Sequence, residues 1–337
     1  MIKKVVNKDR STRQQTDLIG VDFSTTATKI VRLKQSKGGL SLVGLDVLPA
    51  IDFSDTAKRL ELPRNMTTYY GCLAYTAPAA IVRMVNTQLA AGEEAPSETK
   101  LRELLNVTED YRASAQLIKR GSGRQDSSLL AAAIPDDDAR FLTSMFPSGP
   151  PAPASLEVAG LAFVSAFLNA RGEECEDQTV CLIEAGETIS NFVFLNKGNI
   201  ALVGKTPFGA GSLRKKLAED LGVDDELADS ILTDRSINIS SSLRNVLEPF
   251  IKQISISKDF IERHQNCRVS KVYVSGGMSL LPSWSSEVGE MLNAEVVLWS
   301  PLENIEYDPE IVPDEMKYQA TRFAVAIGAA IGGMKDK

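Results

Sequence analysis

Apolar and polar residues alternate in two regions of the chain, and both regions predict the same local structure. Residues 17–47 read as a strand, a turn and a return strand, with a β-branched alternating piece at 28–33. The residues Ser-Lys-Gly-Gly at 36–39 are typical of a tight turn between two strands. Residues 179–204 repeat this order of strand, turn and strand. We therefore predict a β-hairpin in each region.

Elsewhere the pattern predicts alternating strands and helices, which is typical of an α/β fold. Runs rich in β-branched residues predict strands around residues 69–85, 129–134, 271–274 and 295–299. Apolar positions at the helical period predict helices from residue 136 and at 155–168, 211–221, 225–233, 241–263 and 317–332. Pro249 is expected to bend or interrupt the helix at 241–263. The stretch PSGPPAP at 147–153 is interpreted as a connector, because proline continues neither a helix nor a central strand.

The two hairpin regions also share their chemistry, which indicates an internal repeat. A carboxylate ends the first strand of each, Asp22 in one region and Glu184 in the other. A small polar loop, a second strand, a Lys-Gly turn and a strand ending in Leu-Val-Gly follow in the same order. Such loops can hold phosphates with backbone amides and hydroxyls, and each carboxylate can orient a metal-bound water. The repeat predicts tandem domains with a ligand between them.

Length and charge narrow the class of protein. A chain of 337 residues suits two domains, and its net charge of −7 argues against a nucleic-acid binder. The longest mostly apolar run, residues 323–334, is shorter than the roughly 20 residues that a membrane-spanning helix needs. The N-terminus has no apolar signal core, so we expect a cytoplasmic protein without a transmembrane segment. The polar residues 1–16 are interpreted as a flexible basic tail.

Histidine and cysteine usage limits the available chemistry. The one histidine, His264, stands at the polar end of a predicted helix, so a catalytic triad or a histidine-based zinc centre is not expected. The four cysteines are scattered and are expected to be reduced thiols. Any catalysis has to come from carboxylates, backbone amides and a metal ion.

Several motifs follow one another in a characteristic order along the chain. They are LIGVDFSTTATKIVRL at 18–33, LEVAGLAF at 156–163, LIEAG at 182–186, VSGGM at 274–278, WSPLENI at 299–305 and AVAIGAAIGG at 324–333. Together they resemble the actin-like ATPase superfamily and, within it, the type IV pilus assembly protein PilM family, with the cell-division protein FtsA as a relative. The resemblance covers about residues 17–332.

The resemblance implies an actin-like two-domain α/β fold, made of duplicated ribonuclease H-like units with a small inserted α+β subdomain. Domain I is expected at 17–170, with the insert at about 67–150. Domain II is expected at 175–316, and the C-terminal helix at 317–335 is expected to return to domain I.

The resemblance also implies a site for ATP or ADP with Mg²⁺. The catalytic positions it implies are Asp22, Glu157 and Glu184, of which Asp22 and Glu184 would hold the metal through water. The cofactor-binding positions it implies are Ser24, Thr25, Thr26, Lys29, Gly186, Gly209, Gly211, Gly276, Gly277 and Met278.

Each of these positions also has a plain structural interpretation, which the residues alone leave open. Asp22 can be a strand-end cap, Lys29 a solvated strand residue, and Glu157 a carboxylate at the start of the helix predicted at 155–168. The glycine pair at 276–277 can be a tight turn without a ligand.

Three positions depart from the family pattern. Ser24 replaces a glycine of the first loop, and Glu184 replaces an aspartate of the second, with Ala185 beside it. Leu232 stands where relatives often carry a lysine, three residues after Asp229. These departures predict a weak ATPase at most.

The function that the resemblance implies is a binding module, peripheral at the inner membrane through its partners. It would bind ATP between its two domains and the N-terminal cytoplasmic tail of a PilN-like inner-membrane protein, alongside other pilus components. The insert, with a mixed-charge helical face at 100–120, is the expected contact region. A slow Mg²⁺-dependent ATPase, an FtsA-like division filament protein and a sugar kinase of the same superfamily are the alternatives, and self-association stays possible.

Overall fold

The computed structural model describes residues 15–53, 55, 59–122, 125–146, 149–234, 239–281 and 283–335. The predicted basic tail falls almost entirely outside these residues. The chain divides into two compact units. Unit 1 runs up to Asn169 and adds Asn304–Asp314 and the segment from Val325 onward, while unit 2 comprises Ala170–Glu303 and Glu315–Ala324.

The strands and helices follow one another in the alternation that the sequence predicts. The strands are β1 (Asp17–Phe23), β2 (Ala27–Ser36), β3 (Gly39–Pro49), β4 (Tyr70–Tyr75), β5 (Ile81–Thr87), β6 (Tyr111–Lys119), β7 (Ser127–Pro135), β8 (Ala152–Val158), β9 (Thr179–Ala185), β10 (Ser190–Asn196), β11 (Asn199–Thr206), β12 (Val269–Ser275), β13 (Glu295–Leu298) and β14 (Ile305–Tyr307). The helices are α1 (Glu98–Leu105), α2 (Asp136–Ser144), α3 (Ala159–Arg171), α4 (Ala210–Leu221), α5 (Asp225–Thr233), α6 (Ser240–Gln265), α7 (Trp284–Leu292), α8 (Asp314–Gln319) and α9 (Ala324–Lys335).

Unit 1 is built on a six-stranded sheet in the order β14-β3-β2-β1-β4-β8. β2 runs antiparallel to β1, whereas β4 runs parallel to β1 and β8 parallel to β4. Every residue of β1 after Asp17 is buried, as expected for a central strand covered on both faces. Helix α9 packs closely on this strand: a Cβ atom on Gly20 would lie 2.0 Å from the carbonyl oxygen of Ala326. Small residues in both elements permit this approach.

A separate three-stranded sheet, in the order β5-β7-β6, lies within the unit 1 sequence. Its core joins Leu101 and Leu105 of α1 to Leu129, Ala131 and Ala133 of β7. Ser97 caps α1 by accepting a hydrogen bond from the backbone amide of Lys100. Together these elements form a small α+β substructure in the part of the chain where the insert is expected.

Unit 2 repeats the main sheet of unit 1, with the order β11-β10-β9-β12-β13. β10 is antiparallel to β9 and β12 is parallel to β9, just as β2 is antiparallel and β4 parallel to β1 in unit 1. Helix α6 buries one apolar stripe against this sheet and continues through Pro249. The repeated strand order confirms the internal repeat that the two hairpin regions predict.

Four local predictions differ from the structure. Residues 152–158 form strand β8, so the helix predicted at 155–168 begins later, at Ala159. A strand can contain Pro153 here because β8 lies at the edge of its sheet. β4 belongs to the main sheet, so the separate sheet starts beyond the expected boundary near 67. Within 100–120 the helix ends at Leu105 and strand β6 follows. Residues 317–335 form α8, a 3-10 turn and α9 rather than one helix.

The unit boundaries differ from the expected ones in two segments. β14 pairs with β3, so residues 304–314 lie in unit 1 rather than in the second domain. Residues 315–324 lie in unit 2, while α9 beyond Ala324 lies in unit 1.

Candidate functional site

The first loop of the repeat holds a compact polar cluster. Asp22 and Lys29 face each other across the β1–β2 ladder. The Lys29 Nζ atom lies 3.0 Å from Asp22 Oδ2 and 2.9 Å from Ser24 Oγ, to which it donates a hydrogen bond. Ser24 Oγ in turn donates to the carbonyl oxygen of Ala27 at 2.8 Å. Thr25 and Thr26 are exposed at the tip of the loop.

Asp22 carries an oxygen atom without a partner. Its side chain is buried, with 2% of the residue exposed, and within the described residues nothing donates a hydrogen bond to Oδ1. A buried acceptor left unpaired costs about 1–3 kcal/mol. A ligand-bound water could satisfy it, so this carboxylate fits a metal-water site.

Glu157 lies in the same row of the sheet as Asp22. Ala74 of β4 pairs with Asp22 on one side and with Glu157 of β8 on the other. Because neighbouring strands are about 4.8 Å apart and residues in register share a face, the two carboxylates lie on one face about 10 Å apart at Cα. Glu157 is 6% exposed, and its Oε1 would be 2.8 Å from a Cβ atom on Gly332 of α9. It is therefore a strand residue near Asp22, and not the helix-start carboxylate of the alternative interpretation.

The second loop of the repeat has the same register with different groups. Glu184 and Asn191 face each other across the β9–β10 ladder. Asn191 Nδ2 donates a hydrogen bond of 2.7 Å to Glu184 Oε2, and Asn191 is 4% exposed. An amide thus stands at the position that Lys29 takes in the first loop.

Backbone contacts fix this second loop against the start of α4. The amides of Ala210 and Gly211 donate to the carbonyl oxygens of Gly186 and Glu187 at 3.1 and 2.9 Å. A Cβ atom on Gly209 would lie 2.2 Å from the Glu187 carbonyl oxygen. The glycines at 209 and 211 therefore permit close packing of the helix on the loop. The first two amides of α4 are already used, so they are not free for a phosphate in this arrangement.

Arg214 joins the second loop to α5. Its Nη1 atom lies 2.8 Å from Glu187 Oε1, and its Nε atom lies 2.5 Å from Asp229 Oδ1. The hydrogen bond to Asp229, followed by that to Glu187, raises the pKa of the Arg214 guanidinium. Leu232 is 3% exposed and lies in the unit 2 core, so its side chain is not available to a ligand.

The loop after β12 contains two glycines with different surroundings. Gly276 has φ +94°, and a Cβ atom there would lie 2.4 Å from the Ala185 carbonyl oxygen. A Cβ atom on Gly277 would meet nothing nearer than Arg322 Cγ at 3.9 Å, and Gly277 is exposed. Gly276 is thus required by the backbone, whereas Gly277 borders open space. The Met278 side chain is 1% exposed and packs in the unit 2 core, so a ligand could meet only its backbone.

The structure adds two residues that sequence reasoning missed. Asn191 follows Glu184 by seven residues, as Lys29 follows Asp22, so the spacing within the repeat could have revealed it. Thr321 accepts hydrogen bonds from the Gly276 amide at 3.2 Å and from Ser275 Oγ at 3.0 Å. It is distant in sequence from the loop it supports, so no local signal pointed to it.

The described residues contain neither a preformed metal centre nor a membrane-spanning helix. They contain no group of three or more His, Cys, Asp or Glu side chains arranged to hold a metal ion. In the same part of the chain, no helix has the length and apolar character needed to cross a membrane.

One solved structure shares the fold of this chain over nearly its whole length, and two others match it more weakly. The PilM-PilN type IV pilus biogenesis complex matches with a TM-score of 0.80 at 17% identity, over 96% of this chain and 100% of that chain. The ethanolamine utilization protein EutJ from Carboxydothermus hydrogenoformans matches with a TM-score of 0.46 at 16% identity, over 94% and 89% of the two chains. The archaeal actin homolog Ta0583 matches with a TM-score of 0.47 at 13% identity, over 94% and 98%. With its duplicated sheet order, the protein has an actin-like fold.

Sequence comparison defines the family. The model of the family "Type IV pilus assembly protein PilM" matches residues 157–334, which is more than half of the chain. The chain therefore belongs to the PilM family of type IV pilus assembly proteins. Among curated protein sequences, none matches.

Proposed function

We propose that this protein is a PilM-type assembly protein of a type IV pilus or a related secretion system. In this proposal it binds ATP or ADP with Mg²⁺ on its two repeat loops, and it binds the cytoplasmic tail of a PilN-like inner-membrane protein. Membership of the PilM family supports the pilus role, and the matching fold of a PilM-PilN complex supports the kind of partner. The protein would be cytoplasmic and held at the inner membrane by that partner.

The observation that carries nucleotide binding is the unpaired Asp22 Oδ1 beside the Lys29 ammonium. A buried acceptor and a cation at one strand end suit a phosphate group with a hydrated Mg²⁺ ion. When bound, Mg²⁺ would neutralise phosphate charge. Asp22 and Glu184 would accept hydrogen bonds from its waters, and the exposed Gly277 would leave space for the adenosine.

The same contacts support slow hydrolysis at most. Lys29 is engaged by both Asp22 and Ser24, so it has to exchange these partners before it reaches a phosphate. Glu184 is engaged by Asn191. Phosphoryl transfer requires charged groups that are already in position around the phosphate. Side chains that must first give up other partners meet this requirement poorly, so hydrolysis is expected to be slow. We therefore propose a binding module whose conformation is held by the bound nucleotide. In any slow hydrolysis, Glu157 would be the residue that activates the attacking water.

Calorimetric titration with Mg-ATP and Mg-ADP tests this proposal. The protein should bind with micromolar affinity, and Gly277→Trp should abolish binding by filling the adenosine space. Gly38→Trp is the matched control, because Gly38 is an exposed turn glycine whose added side chain also has room. No binding at millimolar ATP would overturn the nucleotide proposal and leave the partner surface as the basis of function. Binding that survives Gly277→Trp would overturn the placement of the adenosine beside Gly277.

The partner surface is proposed to lie on the three-stranded insert. Ile118 of β6 is a large apolar side chain that is exposed on this insert, at 37% exposure. A peptide of the PilN-like tail should bind the intact protein, and Ile118→Asp should weaken binding about tenfold or more. Ile256→Asp, an equally drastic change on exposed α6 of unit 2, should leave the affinity unchanged. Equal losses in the two variants would argue against the insert as the contact region.

A further inference from the structure

A second candidate site lies at the opposite end of the unit 2 sheet from the repeat loop. It is a cavity of about 370 Å³ where β12 and β13 begin. Because β12 has seven residues, this end is about 20 Å from the Gly276 end of the strand. The residues that line the cavity include Lys258, Arg268, Ser270, Asn293, Ala294 and Glu295.

Several hydrogen-bond donors that line the cavity have no acceptor among the described residues. Lys258, Arg268 and the Asn293 amide all border it, and within the described residues none of these side chains makes a hydrogen bond or an ion pair. The Ser270 hydroxyl is already used, since its one proton is shared between two acceptors, Gln178 Oε1 at 2.6 Å and the Thr179 carbonyl oxygen at 3.1 Å. An occupant therefore has to bring acceptors.

The negative groups near the cavity have other partners. Glu295 Oε1 lies 3.7 Å from Lys271 Nζ, which offsets its charge. Helices α6 and α7 both end here, and helix C-termini carry partial negative charge. Asn266 and Asn293 are left-handed caps whose amides bond carbonyl oxygens of Glu262 and Glu290, so part of that charge is satisfied locally. The two unpaired cations, Lys258 and Arg268, therefore give the site a net positive charge.

Size and lining narrow the class of ligand. The cavity is at the small end of the roughly 300–1,000 Å³ range of ligand sites, and it is larger than a single inorganic anion requires. Among the described residues, its lining contains no aromatic side chain on which a nucleobase could stack. Arginine and lysine together match the charge and geometry of a phosphoryl group.

We propose that this cavity is a second anion site, which binds the phosphoryl group of a small, polar, non-aromatic phosphate ester. Arg268 and Lys258 hold the phosphoryl oxygens, and Asn293 contacts the polar body of the ligand. The ester can be a free metabolite or the headgroup of an anionic phospholipid, since both present the same chemistry. This site is separate from the proposed nucleotide loops.

Calorimetric titration with glycerol 3-phosphate at low ionic strength tests the site. Saturable one-to-one binding is expected, and Arg268→Gln and Lys258→Gln should each weaken it about tenfold or more. Glu295→Gln should strengthen it slightly by removing a like charge. The matched control is Lys252→Gln, because Lys252 is an exposed cation of the same helix outside the cavity lining. Glycerol, which has no phosphoryl group, should not bind.

Co-sedimentation with phosphatidylglycerol vesicles, against phosphatidylcholine vesicles, separates the two sources. Arg268-dependent binding to phosphatidylglycerol without binding of the soluble ester assigns the lipid headgroup, and the reverse assigns a free metabolite. No binding in either arm, or an equal loss in Lys252→Gln, overturns the proposal. Mg-ATP affinity should stay unchanged in Arg268→Gln, so failure of this site and failure of the nucleotide proposal can be told apart.

Discussion

The two repeat loops share the same strand pairing but differ in the interactions that stabilise them. In both, a carboxylate near the end of the first strand faces a residue seven positions later on the antiparallel partner. The first loop is held by an ion pair between Asp22 and Lys29 and contains no glycine between its strands. The second pairs Glu184 with the neutral Asn191, and glycines let neighbouring backbone pack against it.

We infer from this difference that the first loop contributes more to the proposed ligand binding than the second. The first loop offers a cation and an unpaired buried oxygen, which are features of a ligand site. The second loop is fixed by close packing of backbone, which is a feature of a structural support. Charge removal should therefore damage the first loop most, and added volume should damage the second.

Removal of the cation from the first loop should have the largest effect. Lys29→Met leaves Asp22, at 2% exposure, as a buried carboxylate without its counter-charge. Breaking a buried ion pair costs about 3–5 kcal/mol of unfolding free energy. Urea denaturation of the variant measures this loss.

A double variant shows whether the loss comes from the ion pair. Asp22→Asn combined with Lys29→Met removes both charges, so most of the stability should return. If the double variant is as unstable as Lys29→Met alone, the lysine stabilises the loop through its packing and not through its charge.

Addition of one methyl group next to the second loop should come next in size. Gly276→Ala forces a side chain into a φ of +94° and places its Cβ 2.4 Å from the Ala185 carbonyl oxygen. Strain and backbone displacement together should cost about 3 kcal/mol. Gly277→Ala is the control and should be nearly neutral, because its Cβ meets nothing nearer than 3.9 Å. Similar denaturation midpoints for the two variants would contradict the packing role of Gly276.

The sequence predicted the repeat because hairpin patterning is a local property. Asp22 and Glu184 were placed correctly at the ends of their strands, since alternation and turn residues define a hairpin without long-range contacts. The segment around Glu157 was predicted wrongly as the start of a helix, whereas residues 152–158 form strand β8. Pro153 argued against a central strand, but whether a strand lies at the edge of a sheet depends on the complete topology.

The side-chain partners within the site could not be predicted in the same way. Met278 matched a ligand-loop motif, yet its side chain fills the unit 2 core, because burial is decided by elements that are distant in sequence. The engagement of Lys29 by both Asp22 and Ser24 depends on a side-chain rotamer, which no spacing rule specifies. Of these side-chain partners, only Asn191 could have been predicted, because it follows Glu184 at the same seven-residue spacing that separates Lys29 from Asp22.

Loss of the amide from the second loop should have a moderate effect. Asn191→Ala removes a neutral donor 2.7 Å from a partly buried carboxylate. Such a hydrogen bond to a charged group contributes about 1.5–3 kcal/mol, and Glu184 retains other interactions, so a loss of about 1.5 kcal/mol is expected. Thermal or urea denaturation checks the value. A loss as large as that of Lys29→Met would mean that the two loops are held equally strongly by their cross-strand pairs.

Removal of one hydroxyl from the first loop should have the smallest effect on stability and an opposite effect on binding. Ser24→Ala loses a hydrogen bond to the Ala27 carbonyl oxygen and an acceptor for Lys29, which should cost about 1 kcal/mol. The same change releases Lys29 from one of its two partners, so Mg-ATP affinity should rise a few-fold by calorimetry. Ser36→Ala, which alters a hydroxyl in the exposed turn before β3, is the control and should leave affinity unchanged. If Ser24→Ala weakens Mg-ATP binding, the hydroxyl contacts the ligand directly, and the first loop then uses its serine in place of the backbone approach that a glycine would permit.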